Sequence, residues 1–445
     1  MHLLLNLAAT NESFMRKMPI LLAALLTGKA IFAQTLSDTE KKIIAYVTQH
    51  VSQSEKLLVD VVNINSGTLH KEGVKKVGAI FTKEFNKAGF TTEWVTLPDS
   101  LNRAGHLVAT RKGKKGKRIF IIGHLDTVFE PDMPFSPYTR LNDSTATGQG
   151  ANDMKGGDVI VIAALQALQS MGLLEDASIT VYFTGDEEKA GIPTSVSRKD
   201  FIERAKNCDM ALGFESAQGL HTVATARRGA SSWTLSVTAK TGHSSGVFSS
   251  GAGYGAIYEA ARILNQFREE LSNEKYVTFN PGLIIGGSDM QYDEKKAKGE
   301  AIGKTNIISP GVVVTGDLRF LTEAQKEAAR EKMRVIVANN LNGSKADIRF
   351  RDGIPSMEPT EGNNRLLKII DQTTQDIGIG GTQAGDPGSR GAGDISYIAK
   401  YLDCIDGLGA SGLGAHAPGE TINLKEFPYL IQRAAILIYR LTYIE

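Results

Sequence analysis

Arg118-Ile-Phe-Ile-Ile-Gly-His124-Leu-Asp126 is the stretch on which the fold turns. An unbroken apolar run that ends in glycine and histidine reads as a strand buried on both faces, the pattern of a sheet covered by helices. Helical and extended patterns alternate around it. Apolar residues recur at near-helical spacing over 39–64 and 73–88, and strands are expected at 91–97, 105–111 and 118–123. A helix at 157–171, capped by Asp158, and strands at 178–184 and 209–214 follow. The order predicts an α/β fold with a sheet covered on both faces by helices. The basic run from Arg111 to Arg118 lies between two of these strands, and its glycine spacing reads as a solvated hairpin turn.

The pattern changes after residue 228. Trp233-Thr-Leu-Ser-Val-Thr-Ala239 alternates like a half-exposed strand. A helix at 253–272, strands at 276–285 and 307–320, a helix at 322–341 and a strand at 345–351 complete a β-α-β-β-α-β unit. Helices at 363–377 and 425–443 then resume the first pattern. The expected organisation is a catalytic domain in two parts, 34–227 and 353–445, interrupted by a ferredoxin-like α+β domain at 228–352. A chain of 445 residues is long enough for two such cores.

Residues 1–33 read as a signal peptide. Basic Met15-Arg-Lys-Met18 precedes an apolar run from Pro19, and Ala30-Ile-Phe-Ala33 offers a cleavage site near Ala33. The run is too short for a comfortable membrane span, and no cysteine marks a lipid anchor, so the expectation is an exported protein, periplasmic or secreted. With 42% hydrophobic and 22% charged residues the composition is ordinary, and a net charge of +1 gives no reason to expect nucleic acid or membrane as a partner. Cys208 and Cys404 read as free thiols rather than a disulfide framework.

Five motifs place acids or histidines where an α/β sheet carries its chemistry, at strand ends. His124-Leu-Asp126 sets a carboxylate two residues from a histidine, an arrangement in which Asp126 orients the ring; alone it reads equally well as a structural histidine. Gly150-Ala-Asn-Asp153-Met-Lys-Gly-Gly157 puts an acid in a glycine-rich loop before a helix, which alone would be a cap. Thr184-Gly-Asp-Glu187-Glu188 is more informative, because adjacent acids after a buried strand need a cation or proton to relieve them. Leu212-Gly-Phe-Glu215 adds another strand-end acid, and Gly412-Leu-Gly-Ala-His416-Ala-Pro-Gly-Glu420 a histidine in a glycine-rich loop. Mixed N/O ligands of this kind suit zinc, and manganese or cobalt also fit. No CxxC pair, phosphate-binding loop or Gly-x-Ser-x-Gly elbow competes with this reading.

In motif order and domain insertion, residues 40–445 resemble the co-catalytic zinc peptidases that include carboxypeptidase G, aminoacylase and succinyl-diaminopimelate desuccinylase, carboxypeptidase G (a glutamate carboxypeptidase) most of all. The resemblance implies two Zn2+ per subunit, with Asp153 bridging, His124 and Glu215 completing one site, and Glu188 and His416 the other. It implies Glu187 as general base, Asp126 as the residue behind His124, and a cis peptide at Asp153–Met154. In the inserted domain, His243 resembles a histidine that crosses a homodimer interface to help hold the oxyanion, and Asn306 and Arg319 resemble residues that contact a substrate carboxylate.

The expected reaction is metal-dependent cleavage of a peptide or N-acyl amide bond beside a free C-terminal carboxylate, on a small peptide or N-acyl amino acid. Glu rather than Asp at position 215 favours that carboxypeptidase reading within the family. An aminopeptidase or N-acyl-amino-acid amidohydrolase on the same scaffold is the alternative, and a binding protein that kept the fold is a third. Two positions depart from the pattern. Ile354 precedes Pro355 where carboxypeptidase G carries arginine, and Gly391-Ala-Gly-Asp394 lacks the hydroxyl residue many members place before the aspartate.

Overall fold

Ile119 to Ile122 are buried on alternating sides of a six-stranded sheet, Ile119 and Ile121 in one core and Phe120 and Ile122 in another. Burying such side chains contributes about 1.5–3 kcal/mol each, which is why this strand sits inside the sheet and not at its edge. The computed structural model describes residues 36–443. The signal peptide expected at 1–33 lies outside them. Among the described residues no helix is long and apolar enough to cross a membrane.

The sheet runs in the order Thr91–Val95, His106–Arg111, Ala177–Thr184, Lys115–His124, Met210–Gly213, Asp403–Ile405. The last four strands are parallel to one another, while His106–Arg111 pairs antiparallel with Ala177–Thr184 and with Thr91–Val95. The basic segment 111–118 is therefore not a hairpin. Ala177–Thr184 is inserted between the strands it connects, and Lys114 and Lys115 donate their backbone N–H groups to Asp176 O.

Helix Lys155–Ser170 is buried along nearly its whole length and shares the larger core with helices Asp38–Val62 and Phe427–Tyr443. Ser37 and Glu40 form a capping box on the first of these. Asp158 does not cap its helix. Met154 occupies the cap position, and Asp158 lies inside the helix, buried, with neither carboxylate oxygen hydrogen-bonded. A Cβ at Gly157 would stand 2.1 Å from Phe214 O, so glycine there lets this helix approach the chain that carries Glu215.

The chain leaves the first sheet after Met210–Gly213 and rejoins it at Asp403–Ile405. In between, strands Gly229–Ala239, Thr278–Gly287, Gly311–Phe320 and Ser344–Asp352 form an antiparallel sheet in spatial order second, third, first, fourth. Trp233, Leu235 and Val237 point to one face of it. They meet helices Ala256–Leu271 and Glu323–Ala338 in a separate core around Phe267 and Met333. A hairpin, Asp289–Asp293 with Lys298–Ile302, extends this layer and was not expected, although Met290 and Tyr292 alternate with Asp289, Gln291 and Asp293. Cys208 and Cys404 are both free, Cys404 buried.

Candidate metal centre

Four of the five motifs arrive at one place because each adjoins an element already fixed by its core. His124 ends strand Lys115–His124. Glu187 and Glu188 follow Ala177–Thr184, and Glu215 follows Met210–Gly213. Asp153 precedes helix Lys155–Ser170, and the Asp153–Met154 peptide is cis. The fifth motif brings His416, from the loop between Gly412–Leu413 and Thr421–Asn423, against Asp153 and Glu188.

Ligand atoms of His124, Asp153 and Glu215 lie within 4.8 Å of one another, and so do those of Asp153, Glu188 and His416. Asp153 is the shared member. Its Oδ1 is 3.3 Å from His124 Nε2 without forming a well-directed hydrogen bond, and its Oδ2 is 3.1 Å from His416 Nε2. Glu215 Oε1 is 3.7 Å from His124 Nε2, and Glu188 Oε2 is 3.1 Å from His416 Nε2.

The electrostatics call for a cation. Burial, with Asp153 beside it, pushes Glu215 up to about 7. Burial and the nearby Glu215 push Glu187 well above the usual carboxyl range. Hydrogen bonds to Asp153 and Glu188 raise His416 to about 11. Burial opposes charge on His124, yet its contacts with Asp126 and Asp153 carry it well above an ordinary imidazole. Burial also opposes ionisation of Asp153, but His124 and His416 hold it well below the usual range. The acids thus draw positive charge onto both imidazoles, the charge a pair of divalent ions supplies. An oxygen of Asp153 left without a hydrogen-bond donor between two imidazoles fits a bridging ligand.

Glu187 is half-buried, and its carboxylate has no hydrogen-bond donor among the described residues. Its main chain is fixed by Asp126, whose Oδ1 accepts the N–H of Glu187 at 3.1 Å and whose Oδ2 accepts that of Glu188 at 3.2 Å. Thr68 donates its hydroxyl to Asp126 Oδ2 at 2.6 Å. Toward His124, Asp126 works mainly through its carbonyl, 3.0 Å from Nδ1, with the carboxylate 3.5 Å away.

Glu420 is a positioning residue that sequence reasoning left without a role. Its buried carboxylate accepts the backbone N–H groups of Gly150, Asn152 and Asp153 at 3.0, 2.7 and 2.8 Å. Its place four residues after His416 was the available signal.

His243, Asn306 and Arg319 lie in the second layer. His243 pairs with Ile307 across a two-residue ribbon, and Asn306 O accepts the N–H of Ser244, so these two are neighbours. Arg319 Nε donates to Asp317 at 2.9 Å. No hydrogen bond or ion pair among the described residues joins any of the three to the acid–histidine cluster.

A model of the family described as Peptidase family M20/M25/M40 matches residues 120–440. Carboxypeptidase G2 of Pseudomonas sp. (strain RS-16) is 26% identical over 392 residues, covering 86% of this chain and 88% of that protein. Among solved structures, an aminopeptidase from Bacillus cereus superposes with a TM-score of 0.71 at 18% identity, covering 87% of this chain and 98% of its own. A dinuclear metal-binding peptidase of the same family from Bacillus subtilis does so with a TM-score of 0.62 at 14% identity, covering 89% and 99%.

Proposed function

The chain belongs to peptidase family M20/M25/M40, a family of metallohydrolases, and from that premise we propose that it cleaves a peptide or N-acyl amide bond next to a free carboxylate. The observation that carries this is the pair of ligand triads sharing Asp153, with the unpartnered carboxylate of Glu187 beside them. His124, Asp153 and Glu215 would hold one divalent ion and Asp153, Glu188 and His416 the other, with zinc, manganese or cobalt suited to the donors. Bound there, the ions would supply Lewis acidity toward the amide carbonyl and toward water.

The chain's own groups do the rest. Glu187 Oε takes the proton of the attacking water and hands it to the leaving amine nitrogen. Asp126 keeps the Glu187 backbone from swinging away, which holds the base at one distance from the scissile bond. Arg319 and Asn306, brought from the second layer, would contact the carboxylate, and His243 from a second copy of the chain would steady the oxyanion. Movement near residues 228 and 352, where the chain passes between layers, would bring them in.

The test is a matched pair of dipeptides on metal-loaded protein, one blocked at its amino end and one at its carboxyl end. Cleavage of the amino-blocked substrate is expected. Cleavage of the carboxyl-blocked substrate alone would replace this reading with an aminopeptidase.

A further inference from the structure

Arg390 follows the short turn Pro387–Ser389 and is half-buried. Among the described residues its guanidinium makes no hydrogen bond and no ion pair. Other buried arginines are matched: Arg198 meets Asp186 and Asp394, Arg227 meets Asp406, and Arg440 meets Glu40. Arg433 donates to the carbonyls of Leu220 and Leu408. A guanidinium partly withdrawn from water without a hydrogen-bond partner carries a desolvation cost that an arriving carboxylate relieves.

Its position says where that partner comes from. A Cβ on Gly407 would stand 3.1 Å from Arg390 Nη1, so the guanidinium rests against a residue with no side chain. The next residues run beside the strand end that carries Glu215: Leu408 donates its N–H to Gly213 O, and Gly409 donates to Glu215 O at 3.0 Å. Glu215 and Asp153 are near enough to act on the guanidinium electrostatically. Asp406 acts on it only electrostatically: Arg227 donates to Oδ2 and the N–H of Gly407 to Oδ1 at 2.7 Å, and no ion pair joins Asp406 to Arg390 among the described residues.

The loop is held in place. Arg227 donates to Gly391 O and Ala392 O at 2.8 and 3.1 Å. Arg228 donates to Gly388 O at 3.0 Å, and Gln218 to the Ser389 hydroxyl at 3.1 Å. This is the loop that lacks the hydroxyl residue before Asp394. Arg319, by contrast, is already bonded to Asp317 and belongs to the other layer.

We propose that Arg390 grips a carboxylate of the substrate, so that the chain carrying the metal ligands also carries a specificity-determining anchor. The planar fork matches a carboxylate bidentately, as a lysine could not. The proposal rests on the amide-hydrolase reading above. The carboxylate can be the α-carboxylate or an acidic side chain, and the experiment separates them.

Three probes suffice: N-benzoylglycine (α-carboxylate only), N-benzoylglutamic acid α-amide (side-chain carboxylate only) and N-benzoylglycinamide (neither). Binding is measured by calorimetry on the full, metal-loaded chain carrying Glu187→Ala, with and without Arg390→Gln or Arg390→Lys. Metal content and thermal midpoint serve as folding controls. Arg390→Gln is expected to weaken one carboxylate probe about 10- to 100-fold while leaving the neutral amide unchanged, with Arg390→Lys between. The probe that loses most identifies the carboxylate. Equal weakening of all three, no weakening, or no preference for either carboxylate in the parent overturns the proposal. Hydrolysis by the chain with Glu187 intact is assayed separately. Absence of hydrolysis with an Arg390-dependent preference sinks the hydrolase reading alone, and hydrolysis without that preference sinks the anchor alone.

Discussion

Asp126 Oδ1 accepts the backbone N–H of Glu187 at 3.1 Å. The carboxylate expected to act on a histidine therefore also holds the proposed base. Asp126→Asn would turn a donor toward one of the two amides it now accepts. The expected result is a 10- to 100-fold fall in kcat with little change in KM, measured on the amino-blocked dipeptide. A change confined to KM would point to substrate binding instead.

Glu420 gathers three backbone amides around Asp153. Glu420→Gln leaves a carboxamide that cannot accept on both ends, so the loop loosens. Metal affinity is expected to fall about 10- to 100-fold in a chelator competition, while far-UV circular dichroism stays unchanged.

Gly157 leaves no room for a side chain beneath Phe214 O. Gly157→Ala pushes the central helix away from the strand end bearing Glu215. A loss of about 1–3 kcal/mol in denaturant unfolding is expected, together with weaker metal binding. Unchanged stability would mean that the helix shifts freely.

Glu40 joins the first helix to the last through Arg440, Nε to Oε1 at 2.7 Å. Burial opposes its ionisation, but the bonds from Arg440 and Ser37 prevail and hold its carboxyl below the ordinary value. A depressed folded-state value means the stabilisation is complete above the unfolded glutamate's pKa, about 4.3, and is lost as pH falls through the folded value. Glu40→Ala should cost about 1–3 kcal/mol near neutrality, because Arg440 keeps its pair with Asp376 at 2.7 Å. The gap from the parent should narrow on acidification below pH about 4, read from urea unfolding.

The grouping of acids and histidines was legible because every member but His416 follows a strand or precedes a helix whose apolar run announces it; His124 after Ile119–Ile122 is the clearest case, whereas His416 sits in a glycine-rich loop. What was not legible depends on distant pairing. Nothing local in the basic segment after Arg111 says that Ala177–Thr184 will enter between its flanking strands. Asp158 looked like a cap because an acid opening a helix usually is one, but the helix begins earlier and buries it. Glu420 had no visible role, because a charge in a loop acquires one only when a distant segment, here Gly150, 270 residues away, packs beside it. His243, Asn306 and Arg319 were suggested by resemblance alone, and no hydrogen bond or ion pair among the described residues joins them to the cluster.

The central claim is that Glu187 moves the proton in a reaction supported by the two triads around Asp153. Glu187→Ala, compared with the parent on the amino-blocked dipeptide with metal content measured on both, tests it most directly. A loss of kcat of about 10²- to 10⁴-fold is expected, with metal stoichiometry retained. Undiminished turnover by a metal-loaded Glu187→Ala protein would contradict it.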